Sequence, residues 1–241
     1  VTGEFDLIAR HLAPLAGPGA FGLTDDAALA PGGRDLVITK DLLNEGVHFR
    51  ASDPIGLVAR KALRANLSDL AAMGATPVGY LLGLAAARSR LTDAAFAEIA
   101  AGLAEDQAAF GISLLGGDTT RAEAGLTVSV TAVGAAPETG VLRRSAAHPG
   151  DAVFVTGSIG DAGLGLRKAD APAALAPADR AYLERRHLLP EPRIAFAAAE
   201  DPQSCRTVPS VRQPTKGALQ LLPATASPRS SASAGTAPRA M

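Results

Sequence analysis

One apolar stripe constrains this chain more than any other feature. Ile55, Ala59, Ala62, Leu63, Asn66, Leu70 and Met73 recur at intervals of three and four, the spacing of one helical face. Pro54 stands at the start and Gly74 at the stop, so the pattern predicts a helix over 54–74. Such a helix must press its stripe against a second layer. Asn66 lies on that stripe, and Asp69 follows three residues later in a largely apolar stretch. A carboxylate facing a core is costly unless it is paired or bound to a cation, which makes Asp69 the first residue to suggest chemistry.

The rest of the pattern is α/β. A second helix is expected over 93–110, with Phe96, Ile99, Leu103, Gln107 and Phe110 inward and Thr92 or Asp93 as cap. Short apolar or alternating runs at 35–39, 78–84, 112–115, 126–133 and 152–156 read as strands. A hydrophobic fraction of 47% supports a packed core, and a net charge of -1 supplies no field for nucleic acid or an anionic membrane surface. Cys205 is the one cysteine, so an internal disulfide and a cysteine metal cluster are excluded and a reducing cytoplasm is expected. Residues 1–6 are acidic where a secretory signal is basic. The uncharged run 70–87 is broken by Gly74, Pro77, Gly79 and Gly83, which argues against a membrane span. After Asp201 no acidic residue occurs, and 202–241 is rich in Ser, Ala and Pro. This segment is expected to be a disordered basic tail; with no aromatic side chain to stack a base, RNA binding is disfavoured.

Aspartates recur at the ends of the predicted elements: Asp25 and Asp26, Asp41, Asp69, and Asp118 in Gly116-Gly117-Asp118. Singly, each fits a turn or a cap. Jointly, carboxylates and hydroxyls without cysteine favour a hard cation such as Mg²⁺. His48 has no second histidine at ligand spacing, so hydrogen bonding to a substrate is favoured over metal ligation, beside a purely structural role. Arg143 and Arg144 offer a phosphate clamp or an ordinary solvated surface. Residues 157–163 follow a predicted strand and weakly suggest phosphate contact at a helix start. No GxGxxG, GxxxxGK[ST] or protein-kinase signature is present. If this chain moves phosphate, metal-holding aspartates must do the work of a phosphate-binding loop.

Several segments occur together and in order: Leu23-Thr24-Asp25-Asp26-Ala27-Ala28, Thr39-Lys40-Asp41, Glu45-Gly46-Val47-His48-Phe49, the run 61–75 and Leu115-Gly116-Gly117-Asp118-Thr119-Thr120. With Arg144-Ser145, the segment 150–157 and Leu189-Pro190-Glu191-Pro192-Arg193, the chain resembles the thiamine-monophosphate kinase family over about residues 3–198. The resemblance implies the fold shared with aminoimidazole ribonucleotide synthetase: an α/β (α+β) N-terminal domain, a mixed sheet flanked by helices, with only the start of a second domain. Residues 1–140 would bind ATP and Mg²⁺ and form a homodimer through the sheet, 141–201 would begin the second domain, and 202–241 would be the tail.

It also implies direct in-line transfer of phosphate from ATP, the co-substrate, to thiamine phosphate, assisted by several Mg²⁺ ions, in a cytoplasmic enzyme. Asp26, Thr39, Asp41, Asp69 and Asp118 would carry metal; Gly117, Asp118 and Arg144 would meet ATP; His48 would touch thiamine phosphate; no residue would act covalently. Two departures accompany the resemblance. Lys40 replaces a small hydroxylated residue and is expected to pair with a neighbouring carboxylate and displace one metal. A further Ser-Asp-Gly-Leu motif is missing near residue 200, so the tail reads as a truncation or frame-shift product. The alternatives are an inert nucleotide-binding and dimerisation fragment, or a related ATP-dependent synthetase. Deletion of 202–241 is expected to leave the melting temperature nearly unchanged, since such a segment buries too little surface to offset its ordering entropy; a large drop in Tm would show the Leu219-Gln220-Leu221-Leu222 patch docked.

Overall fold

The computed structural model describes residues 21–22, 24–25, 27–30, 35–151, 155–167 and 175–199, all within the unit Val1–Val211. Asp26, the tail 202–241 and residues 152–154 of the expected fifth run lie outside the described residues.

Five strands form one mixed sheet in the order β1-β2-β5-β3-β4. They are β1 (Ala28–Ala30), β2 (Leu36–Asn44), β3 (Thr76–Ala86), β4 (Ser113–Arg121) and β5 (Leu126–Ala135). β3 and β4 pair in parallel and the other pairs are antiparallel. The 126–133 alternation becomes a strand with Val128, Val130 and Ala132 buried on one side. Two strands outrun their local signals. β2 continues to Asn44 because Lys40 to Asn44 pair residue by residue with Thr131 to Thr127, so Asp41 lies inside a strand. β4 continues to Arg121 along β3, so Gly116-Gly117-Asp118 is strand where the sequence suggested a turn.

The predicted helix 54–74 is α1 (Ile55–Ala72), and it covers one face of the sheet with Val58, Leu63, Leu67 and Leu70 buried. The helix α2 (Asp93–Phe110) starts at Thr92, whose Oγ1 accepts the Ala95 N–H, and packs on α1. The two helices approach closely: a Cβ at Gly102 would lie 2.6 Å from the Gly56 carbonyl oxygen, so the crossing depends on glycine. This contact rotates α2 from the expected face. Ile99, Gly102, Leu103 and Asp106 are its buried residues, whereas Phe96 is 41% exposed and Gln107 reaches sideways to the Tyr80 hydroxyl. Beyond a short 3-10 turn at Arg144–Ala146 come α3 (Asp161–Leu166), α4 (Pro177–Leu188) and α5 (Ile194–Ala199); α3 packs with α4, and α5 against α1. No described helix is long and apolar enough to cross a membrane.

Asp106, fully buried, is where charge enters the helical layer. Its Oδ1 accepts from Arg60 Nη2 at 2.8 Å and Arg64 Nη2 at 2.7 Å, and its Oδ2 accepts from Arg64 Nε at 2.8 Å. Arg64 also donates to the Pro190 carbonyl and stacks on Phe110, tying the segment before α5 to α1. Removing one member of such a network strands the opposite charge. Asp106→Ala is expected to destabilise the chain by about 3–5 kcal/mol, measured by urea unfolding; a change below about 1 kcal/mol would mean that water or Glu105 replaces the carboxylate.

Candidate active site

The period of β2 turns Thr39 and Asp41 to the face covered by α1, and the period of α1 brings Asp69 down onto them. Thr39 is buried, and its Oγ1 donates to Asp69 Oδ2 at 2.7 Å. Burial pushes the Asp69 carboxyl up to about 7; the Thr39 bond opposes this and the Asp41 charge adds to it. Burial also raises Asp41, while His48 pulls it down. Thr39, Asp41, Asp69 and His48 thus form one electrostatic neighbourhood at the edge of the α1 contact.

His48 sits in the turn after β2. Its Nδ1 accepts the Asn44 N–H at 3.0 Å, its own N–H donates to the Asn44 carbonyl, and Gly46 N–H donates to the Phe49 carbonyl. Lys61 of α1, 5% exposed, donates from Nζ to the His48 carbonyl at 2.7 Å. Sequence reasoning missed Lys61, although it stands beside Ala62 at the border of the apolar stripe.

The remaining candidates are placed apart. Asp118 is exposed on β4, in register with Gly83, Ser129 and Leu42, the row of the open sheet face, whereas Asp41 is in register with Val130 on the covered face. Three strand spacings separate β4 from β2, about 14 Å at about 4.8 Å each. Of the aspartates expected to carry metal, Asp41 stands in the electrostatic neighbourhood of Asp69, Asp118 lies on the other face of the sheet, and Asp26 lies outside the described residues. Among the described residues no group of three or more His, Cys, Asp or Glu side chains converges on a metal position. Gly117 is required for another reason: a Cβ there would lie 1.9 Å from the Leu82 carbonyl oxygen. Lys40 also departs from expectation. It points from the open face, donating to Ser129 Oγ at 2.7 Å and Thr131 Oγ1 at 3.3 Å, with hydroxyls in place of the anticipated carboxylate. Pairing across the ladder puts it one residue, and hence one face, away from Thr39 and Asp41.

Arg143 and Arg144 belong to a built contact. Asp25 accepts from Arg143 Nε at 3.0 Å and from the Arg144 N–H at 3.1 Å, and Arg143 stacks over Phe21 with 4.2 Å to the ring centre. Asp25 is thereby anchored beside Arg144.

The description "AIR synthase related protein, N-terminal domain" matches residues 24–136, the segment that holds Thr39, Asp41, His48, Asp69 and Asp118. A thiamine-monophosphate kinase of Caulobacter vibrioides is 49% identical over 201 residues, covering 81% of this chain and 56% of that protein. The chain is related to the thiamine-monophosphate kinases over about four fifths of its length. The Escherichia coli K12 member is 40% identical over 199 residues, with 80% of this chain and 60% of that protein covered. The solved structure of AaThiL complexed with AMPPCP and TMP superposes with a TM-score of 0.72 at 30% identity, over 81% of this chain and 61% of that one. The chain thus spans a little over half the length of these relatives.

A carboxylate buried as Asp69 is carries a pH-dependent load. Because the Asp69 pKa rises on folding from 3.8 to about 7, the folded chain binds the extra proton between those values. Stability from this group is fully present below about pH 4 and is lost as pH rises through about 7. Asp69→Asn is expected to raise metal-free stability at pH 8 by on the order of 3 kcal/mol and to do little at pH 4. Mg²⁺ should stabilise the parent chain at pH 8 more than the variant; equal loss of folding at both pH values would mark Asp69 as structural.

Proposed function

We propose that the chain binds Mg-ATP and phosphorylates thiamine phosphate to thiamine diphosphate in the cytoplasm. The observation carrying this reading is the packing of Asp41, Asp69 and Thr39, two carboxylates and a hydroxyl, into one partly buried set beside His48. That donor set suits a hard cation: it is all oxygen, and burial, with a smaller contribution from Asp41, raises the Asp69 carboxyl, a load that a bound cation would relieve. The AaThiL complex with an ATP analogue and TMP supports the choice of both substrates.

Of the residues proposed to hold Mg²⁺, Asp26, Thr39, Asp41 and Asp69 would serve one position, and Asp118, on the other face of the sheet, a second. Bound there, the ions would neutralise the repulsion between two polyanionic groups. The chain's own groups divide the remaining work. Gly117 and Asp118 meet the nucleotide along β4, Arg144 contacts ATP phosphate, and His48 donates to the acceptor phosphate. The acceptor oxygen is already anionic, so no strong base is required. Positioning dominates the barrier. The open sheet face, with Leu42 at 50% and Leu115 at 60% exposure, supports a homodimer formed through the sheet. Residues 1–140 serve as the nucleotide and dimerisation domain, with 141–201 as the beginning of the second. One observation favours a second reading, a nucleotide-binding fragment with little turnover: Asp118 stands three strands from Asp41.

The purified chain is expected to bind Mg-ATP in titration calorimetry, with Asp41→Asn weakening it about tenfold or more. It should form thiamine diphosphate far more slowly than a full-length relative. His48→Ala should weaken thiamine phosphate binding while leaving Mg-ATP affinity unchanged. Turnover equal to a relative's would rule out the fragment reading, and no Mg-dependent ATP binding would remove the proposal.

A further inference from the structure

Lys61 is an anomaly in α1. It is a cationic side chain in the apolar core layer, 5% exposed, and burial lowers its ammonium from 10.5 to about 8, with Asp53 partly offsetting this and Arg50 adding to it. A Met or Leu would pack there without that penalty. What the ammonium does in return, among the described residues, is donate from Nζ to the His48 carbonyl at 2.7 Å.

The turn it grips is held from several sides. Glu45 N–H donates to the Leu126 carbonyl, Glu45 carboxylate pairs with Arg90 at 2.8 Å, and Asn44 Oδ1 accepts from Thr127 Oγ1 at 2.7 Å. Phe49 is buried in the core immediately after His48. Inside this frame the Asn44 N–H points at His48 Nδ1. A backbone N–H only donates, so Nδ1 must accept, and the neutral ring must carry its proton on Nε2. The ring is left as a donor within electrostatic reach of Asp41.

We propose that Lys61 is a positioning residue for His48: by holding the His48 carbonyl from beneath, it keeps the ring in the Nε2–H tautomer with that donor free for an anionic acceptor oxygen. This deepens the proposed role of His48 as a phosphate-acceptor contact and rests on that reading for its functional meaning. The bond also explains a side chain that the core packing does not need. Lys61 itself touches no substrate; it acts through the turn 44–49.

The test uses the whole chain with ¹⁵N-labelled histidine, His48→Ala serving to assign the ring signals. In the parent, long-range ¹H–¹⁵N spectra near pH 8 are expected to show a single His48 tautomer with unprotonated Nδ1. Lys61→Met keeps the stem volume and removes the donor; it should average the two tautomers and speed exchange of the Asn44 and His48 amides about tenfold or more. Lys61→Arg, which keeps a charged donor, should retain the parent pattern. A folded Lys61→Met with the parent tautomer and unchanged amide protection overturns the proposal, as does an Nδ1–H ring in the parent. If Lys61→Met does not fold, Lys61→Gln, too short to reach the carbonyl, is read in the same way. His48→Ala separates the two ideas: unaltered thiamine phosphate binding would remove the acceptor contact, while the ring spectra still decide the role of Lys61.

Discussion

The packing of α1 across the sheet is the contact on which the rest of this structure depends. Its stripe of Val58, Leu63, Leu67 and Leu70 is almost completely buried, and that burial is the main favourable term holding the two layers together. Every polar group of interest emerges at the border of the same contact. Asp69 leaves it to meet Thr39, Lys61 to hold the His48 carbonyl, and Arg60 and Arg64 to meet Asp106. One helix therefore sets the core, the anionic site and the charge network between helices.

This arrangement puts electrostatic cost at the proposed site. Asp106 is buried but satisfied by two guanidinium groups, so it acts as a structural tie. Asp69 is half-buried and, among the described residues, its hydrogen-bond donor is a neutral hydroxyl, with another carboxylate nearby. The two aspartates lie on packed helices of the same layer, yet among the described residues guanidinium groups meet Asp106 and a hydroxyl meets Asp69. That asymmetry separates a candidate site from a scaffold.

A good part of the fold was legible in the chain. The helix at 54–74, the helix at 93–110 with its Thr92 cap, and the alternation at 126–133 all carried strong periodic signals and appear with small shifts at their ends. The lengths of β2 and β4 were not legible, because Lys40 to Asn44 and Gly116 to Arg121 become strand only when β5 and β3 supply their hydrogen bonds. The inward face of α2 was also misjudged. Its periodicity was consistent with Phe96, but the close Gly56 and Gly102 crossing selects the neighbouring face and buries Asp106.

Residue types and helical spacing were enough to place Asp69 and Asn66 on a buried stripe, because a period of 3.6 is a local property of the chain. They also sufficed to mark His48 and the aspartates as candidates. Which candidates meet was decided by tertiary structure alone. Strand order puts β5 and β3 between β2 and β4, separating Asp118 from Asp41, and register sends Lys40 to the face opposite Thr39. The use of Lys61 was decided in the same way, since its partner is a backbone carbonyl thirteen residues away. Local sequence carries the period of an element, but the neighbour across a sheet or beneath a helix depends on the free energy of the whole packed arrangement.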